Sequence, residues 1–243
     1  MTRSLVWIAA GGLGGGLVLL MLAYSLGGRD FAREASWHRW WSDTCPESDA
    51  NADNGTPSER RWVWTGGDTI DIAVPGAVHF RAGDGNEVIA RGSPNAVASV
   101  EVHGSRIVIR CRHESRRGLE ITLPGQKLHR FNIAGAARVS MEGLSQHELD
   151  LRISGSGEVD AKGAVDHMIV SLSGSGSARL GDVAMKKLTA HISGSGSIEA
   201  APTDLADVKI SGSGDVRLRG RPTKLRSHIS GSGRITQAST DSN

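Results

Sequence analysis

The sequence predicts an all-β chain, a parallel β-solenoid with coils of about 19 residues, preceded by one N-terminal transmembrane helix. Three observations carry that prediction. A text ending in Ser-Gly-Ser-Gly occurs at Ile153–Gly157, Leu172–Gly176, Ile192–Gly196, Ile210–Gly214 and Ile229–Gly233, with a worn copy at Ile133–Ala137. Around each copy apolar and polar residues alternate, the period of a strand with one buried face. Residues Leu5 to Leu26 form an uncharged, mostly apolar run of 22.

Residues 1–28 are read as a membrane anchor. As a helix the apolar run is about 33 Å long, enough to cross a hydrocarbon core of about 30 Å. A cleaved signal peptide has a shorter apolar core and a small-x-small site; no such site follows Tyr24, so the run is expected to be retained. Arg3 precedes the span and Arg29 and Arg33 follow it, which leaves the charge rule undecided. The solenoid is expected outside the cytoplasm, because large domains translocate regardless of nearby charge. Gly11 and Gly15, like Gly12 and Gly16, stand four apart; this spacing suits either a second span packing closely, hence a homo-oligomer, or a lone span that tolerates small residues.

Residues 29–61 form a juxtamembrane segment and linker. Five of the six tryptophans lie between 37 and 64, and Phe31, Trp37, Trp40 and Trp41 directly after a span suit an interfacial collar. The polar stretch from Asp43 to Arg61, with Pro46 and Pro57, reads as a flexible spacer. Residues 62–237 are the solenoid and 238–243 a tail. The early part is strand-like but less regular: Ile70–Gly76 resembles Leu119–Gly125, and Val97–Val102 and Arg106–Arg112 alternate as strands. No helical pattern is evident after residue 61.

Within the repeat, the first serines stand at 154, 173, 193, 211 and 230. One residue before each is Ile153, Leu172, Ile192, Ile210 or Ile229, and three before are Leu151, Val170, Ala190, Val208 and Ser227. Five residues after each serine come Val159, Ala178, Ile198, Val216 and Ile235. Each unit therefore holds one strand entering the turn and one leaving it. Neither buries its apolar face alone, so units stack about 4.8 Å apart, like residue on like. The structural turn residues are Ser154, Gly155, Gly157, Ser173, Gly174, Gly176, Ser193, Gly194, Gly196, Ser211, Gly212, Gly214, Ser230, Gly231 and Gly233. Glycine is expected there for positive φ or close backbone approach.

Chemical readings of the turn fit poorly. A nucleophile elbow needs Gly-x-Ser-x-Gly ahead of a helix, a phosphate cradle needs a glycine loop that opens a helix, and calcium-binding coils place Asp in the turn. No catalytic, cofactor-binding or metal residue is assigned. The outward acids Glu158, Asp160, Glu199 and Asp215 do not share one column, and His191 and His228 are two coils apart. Arg106, Arg110, Arg112, Arg116 and Arg117 form a basic segment that suits either an anionic ligand or a charged strand edge. A net charge of +2 gives no case for nucleic acid. Cys111 falls on the inward phase and Cys45 in the linker, which leaves both a core thiol and a Cys45–Cys111 disulfide open.

Ile121-Thr122-Leu123-Pro124-Gly125, then Phe131-Asn132-Ile133-Ala134-Gly135, then the five Ser-Gly-Ser-Gly coils, resemble the auto-transporter adhesin, head GIN domain family of bacterial envelope proteins. The resemblance implies a parallel β-helix exported from the cytoplasm and supplies no catalytic residues. The expected protein is a non-enzymatic, single-pass envelope protein with its solenoid in the periplasm or outside the cell, meeting a glycan or another envelope protein. The alternatives are a carbohydrate-active β-helix enzyme and a structural or sensory subunit of an envelope complex.

Overall fold

The computed structural model describes residues 56–109, 118–125 and 127–238. The expected anchor, the tryptophan collar, Cys45, Cys111 and four of the five arginines of the basic segment lie outside the described residues. Among those described, no helix is long and apolar enough to cross a membrane.

The solenoid forms as its period predicts. Strands β8 (Arg130–Gly135), β9 (Arg138–Gly155), β10 (Glu158–Gly174), β11 (Ser177–Gly194), β12 (Ser197–Gly212), β13 (Asp215–Arg219), β14 (Lys224–Gly231) and β15 (Arg234–Ala238) wind as consecutive coils. All their pairings are parallel; β9–β12 shift register midway, but the segments that enter the Ser-Gly turn keep one register, so Ser154, Ser173, Ser193, Ser211 and Ser230 form one column. The next column in runs Ile133, Ile153, Leu172, Ile192, Ile210 and Ile229. Except for Ile229, these side chains are 1–3% exposed. Burying each stabilises the coil by about 1.5–3 kcal/mol. Among the described residues no buried side-chain nitrogen or oxygen lacks a partner.

The first coil does not stack in chain order. It is made of β2 (Thr69–Ala73) and β3 (Ala77–Arg81), joined through Val74-Pro75-Gly76. On one side it pairs in parallel with β8 and β9, placing Phe80 edge-on to Phe131 with centroids 5.2 Å apart. On the other side it pairs with β6 (Arg106–Ile109) and β7 (Glu120–Thr122). The later strands β6 and β7 thus lie on the side of the first coil away from β8 and β9.

The N-terminal end is closed differently from the repeats. β1 (Ser58–Val63) runs antiparallel to β4 (Glu87–Gly92), β4 antiparallel to β7, and β5 (Val100–His103) antiparallel to β6. Two expectations are corrected here. The spacer ends by Ser58, because β1 pairs residues 58–61. A helix does follow residue 61: α1 (Pro94–Ala98) buries Ala96 and Val97. Ser93 caps it by accepting from the Ala96 amide at 3.4 Å, and Pro94 opens its first turn, a pairing suited to a helix start. The strand expected over Val97–Val102 therefore begins only at Val100.

Candidate functional site

The turn residues act through backbone geometry. Gly155, Gly174, Gly194, Gly212 and Gly231 all have positive φ, between 111° and 127°. At Gly194 a Cβ would lie 2.5 Å from the Gly174 carbonyl oxygen, the acceptor for the Ser195 amide at 2.9 Å. The second glycine serves another purpose. A Cβ on Gly214 would meet Ile192 Cγ2 at 2.5 Å, so its bareness makes room for the core isoleucine.

Turning the chain at that corner leaves the serine side chains outward. Two residues earlier, on the same outward phase, stand Arg152, Ser171, His191, Lys209 and His228, in register from coil to coil. These two columns line a groove of about 600 Å³ that runs across the coils from Arg152 to Ser230, with the Ile153, Leu172, Ile192 and Ile210 positions between them. The serine hydroxyls, His191, Lys209 and His228 are exposed. Among the described residues His191, Lys209 and His228 have no ion-pair partner.

Arg152 closes one end of the groove and is fixed. Its guanidinium donates to Asp150 at 3.0 and 3.2 Å, and Arg130 donates to the same carboxylate at 2.8 Å. Asp150 is the one buried charged residue among those described, 7% exposed, and two cations offset its desolvation.

The other faces are occupied by their own ions. Glu158 accepts from Arg138 at 3.0 Å and pairs with Arg179, which also reaches Asp160. The Arg138 hydrogen bond first, then Arg179, holds the Glu158 carboxyl below the usual carboxylate range. Lys186 and then His147 do the same to Asp166, at 2.9 and 2.6 Å. Arg219 links Glu199 and Asp182. The acids considered at the sequence level as a catalytic set thus fall in two columns: Glu158 with Asp215, and Asp160 with Glu199, with Arg179 in between.

The serines are not brought together with acid–base machinery. The histidine–carboxylate pairs among the described residues are His79–Glu120, His103–Glu101, His147–Asp166 and His167–Glu148, and none includes a groove histidine. No three metal-ligating side chains cluster among the described residues. Arg106, from the expected basic patch, is exposed and sits 3.8 Å from the Asp71 carboxylate; Arg110, Arg112, Arg116 and Arg117 lie outside the described residues. Sequence reading set His191 and His228 two coils apart without reading their column as a groove wall. Its signal was the recurrence of Arg, His and Lys at one coil position.

A parallel β-solenoid that stacks serines and cations in columns on its outward face is the class these observations define. Residues 68–222 match the family model described as "Putative auto-transporter adhesin, head GIN domain", and the chain belongs to that family. A solved structure described as a "putative adhesin" from Bacteroides fragilis is similar in fold, with 20% identity over 76% of this chain and 99% of that one, TM-score 0.56. A solved structure described as a "Putative lipid binding protein" from Parabacteroides distasonis aligns at 18% identity over 76% of this chain and 98% of that one, TM-score 0.46. No curated protein matches.

Proposed function

We propose that the protein is a non-enzymatic bacterial envelope protein, anchored by residues 5–26, whose solenoid binds extended anionic glycans along the serine groove. The observation that carries this reading is the column His191, Lys209 and His228 beside stacked serines, uncompensated while the other faces are cross-linked by ion pairs. Hydroxyls repeating about every 4.8 Å offer hydrogen bonds to a polymer with its own repeat, and an unpaired ammonium favours an anionic one. Family membership supports an adhesin-like role in the envelope. The near-identity of the five serine turns supports binding over catalysis, since an activated serine needs one unique neighbourhood.

The test is a panel of neutral and anionic polysaccharides presented to the full chain in detergent, with hydrolysis of each followed in parallel. Saturable binding of an anionic member, weakened by salt and at least about tenfold by Lys209→Glu, is the expected result. Binding unaffected by that change, or cleavage of the bound polymer, would reject the reading.

A further inference from the structure

The last coil of the solenoid differs from those before it in two ways. Strand β14 pairs only with β12, and β15 only with β13, so among the described residues both outer edges carry unpaired backbone groups. Two inward columns, 0–3% exposed in the coils beneath, open at Leu225 and Ile229, which are 38% and 41% exposed. At the other end β1, β4, β5 and α1 close the stack. A solenoid end left like this is a template for another strand.

The charge on this edge says what that strand carries. Outside the serine groove, several cations of the inner coils find an acid on the same or an adjacent coil: Arg138 with Glu158, Arg130 with Asp150, Lys186 with Asp166. On the last coil Lys224, Arg226, His228 and Arg234 are all exposed, and none has an ion-pair partner among the described residues. Lys224, Arg226 and His228 stand on alternate positions of one strand, with Leu225 and Ile229 on the opposite phase. A strand stacked in the solenoid's own register would set its polar residues over the three cations and its apolar ones over Leu225 and Ile229.

We infer that the edge formed by β14 accepts, by strand addition, an extended acidic segment of a partner protein in which acids alternate with apolar residues. A second copy docking edge to edge would set these cations against their own kind, which disfavours that occupant. Main-chain hydrogen bonds supply affinity and the alternating charge supplies register. His228 belongs both to this edge and to the proposed glycan groove, whereas Arg226 belongs to the edge and does not line that groove.

The probe is an octapeptide, Glu-Leu-Asp-Leu-Glu-Ile-Ser-Gly, which is residues 148–155 of this chain with Arg152→Glu. Titrated against the full chain in detergent, it should bind saturably and at least about tenfold more tightly than a shuffled peptide of the same composition. Methylating its backbone amides at alternate positions should abolish binding, and Arg226→Glu should weaken it by about tenfold or more without lowering the melting temperature. Glycan binding should persist in that variant, so loss of peptide binding alone does not reflect on the groove. The inference falls if the peptide fails to bind or if the shuffled peptide binds equally, the mark of a polyanion. It falls too if sedimentation shows a dimer that Arg226→Glu disperses, for then a second copy holds the edge.

Discussion

At Gly194 the backbone demand is double, a φ of +125° and a carbonyl 2.5 Å from where a Cβ would sit. Ser195 next to it contributes a solvent-exposed hydroxyl and an amide already bonded to Gly174. Gly194→Val is therefore expected to cost about 1–3 kcal/mol or more, while Ser195→Ala costs under about 1. Denaturant melts of the two variants check this, and equal losses would contradict the corner geometry. A second residue-level expectation concerns acid. Glu158 is held below its ordinary pKa by Arg138 and then Arg179, and Asp166 by Lys186 and then His147. A carboxyl whose folded pKa is depressed contributes stability that is complete above its unfolded value, about 4, and fades as pH falls through the folded value. The melting temperature of Arg138→Met should thus lie below that of the parent near neutral pH and converge with it in acid, once pH has fallen through the depressed pKa of Glu158. A gap that persists into acid would assign Arg138 a packing role instead.

Among the strands, position in the stack decides what a side chain is worth. Ile192 and Ile229 occupy the same coil position, yet one is 3% and the other 41% exposed. Ile192→Ala should cost about 2–5 kcal/mol and Ile229→Ala under about 1, in the same denaturant assay; comparable losses would mean that the last coil is covered in solution. The repeating strands were legible because a two-residue alternation recurs with each coil, so each copy reinforces the same inward and outward assignment. The N-terminal strands were less legible for a physical reason. The pairing of β6 and β7 with β2 and β3 joins residues far apart in sequence, such as Ile72 with Ile107, which no local period encodes. Helix α1 was missed although Ser93-Pro94 is a fair start signal, because five residues are too few to show a helical period. Of the candidate site, the serine column could be read directly. The Arg130–Asp150–Arg152 clamp spans adjacent coils, and whether each groove cation is paired depends on neighbours that only the register supplies.

For the molecule as a whole, the contrast between its ends predicts an order of opening. Amide hydrogen exchange should be fastest in β14 and β15 and slowest in the central β10 and β11, since each coil is held chiefly by its neighbours. Uniform exchange across the stack would contradict this. The proposed anchor makes a separate expectation: the mature protein extracted from membranes should retain residues 5–26 at its amino terminus, and terminal sequencing that begins near residue 28 would refute it. The pairing of β2 and β3 with the later strands β6 and β7 also bears on how such a chain changes length. The head is interlocked, because its first coil is flanked by two others that both come later in the chain, and a unit added after Gly76 would part strands that must meet. Beyond residue 138 each coil is simply laid on the last. A duplicated unit of about 19 residues placed after Gly176 would leave the head intact and extend the groove by one rung, about 4.8 Å. Reach is therefore adjustable at one end of this architecture, while the other end stays constant.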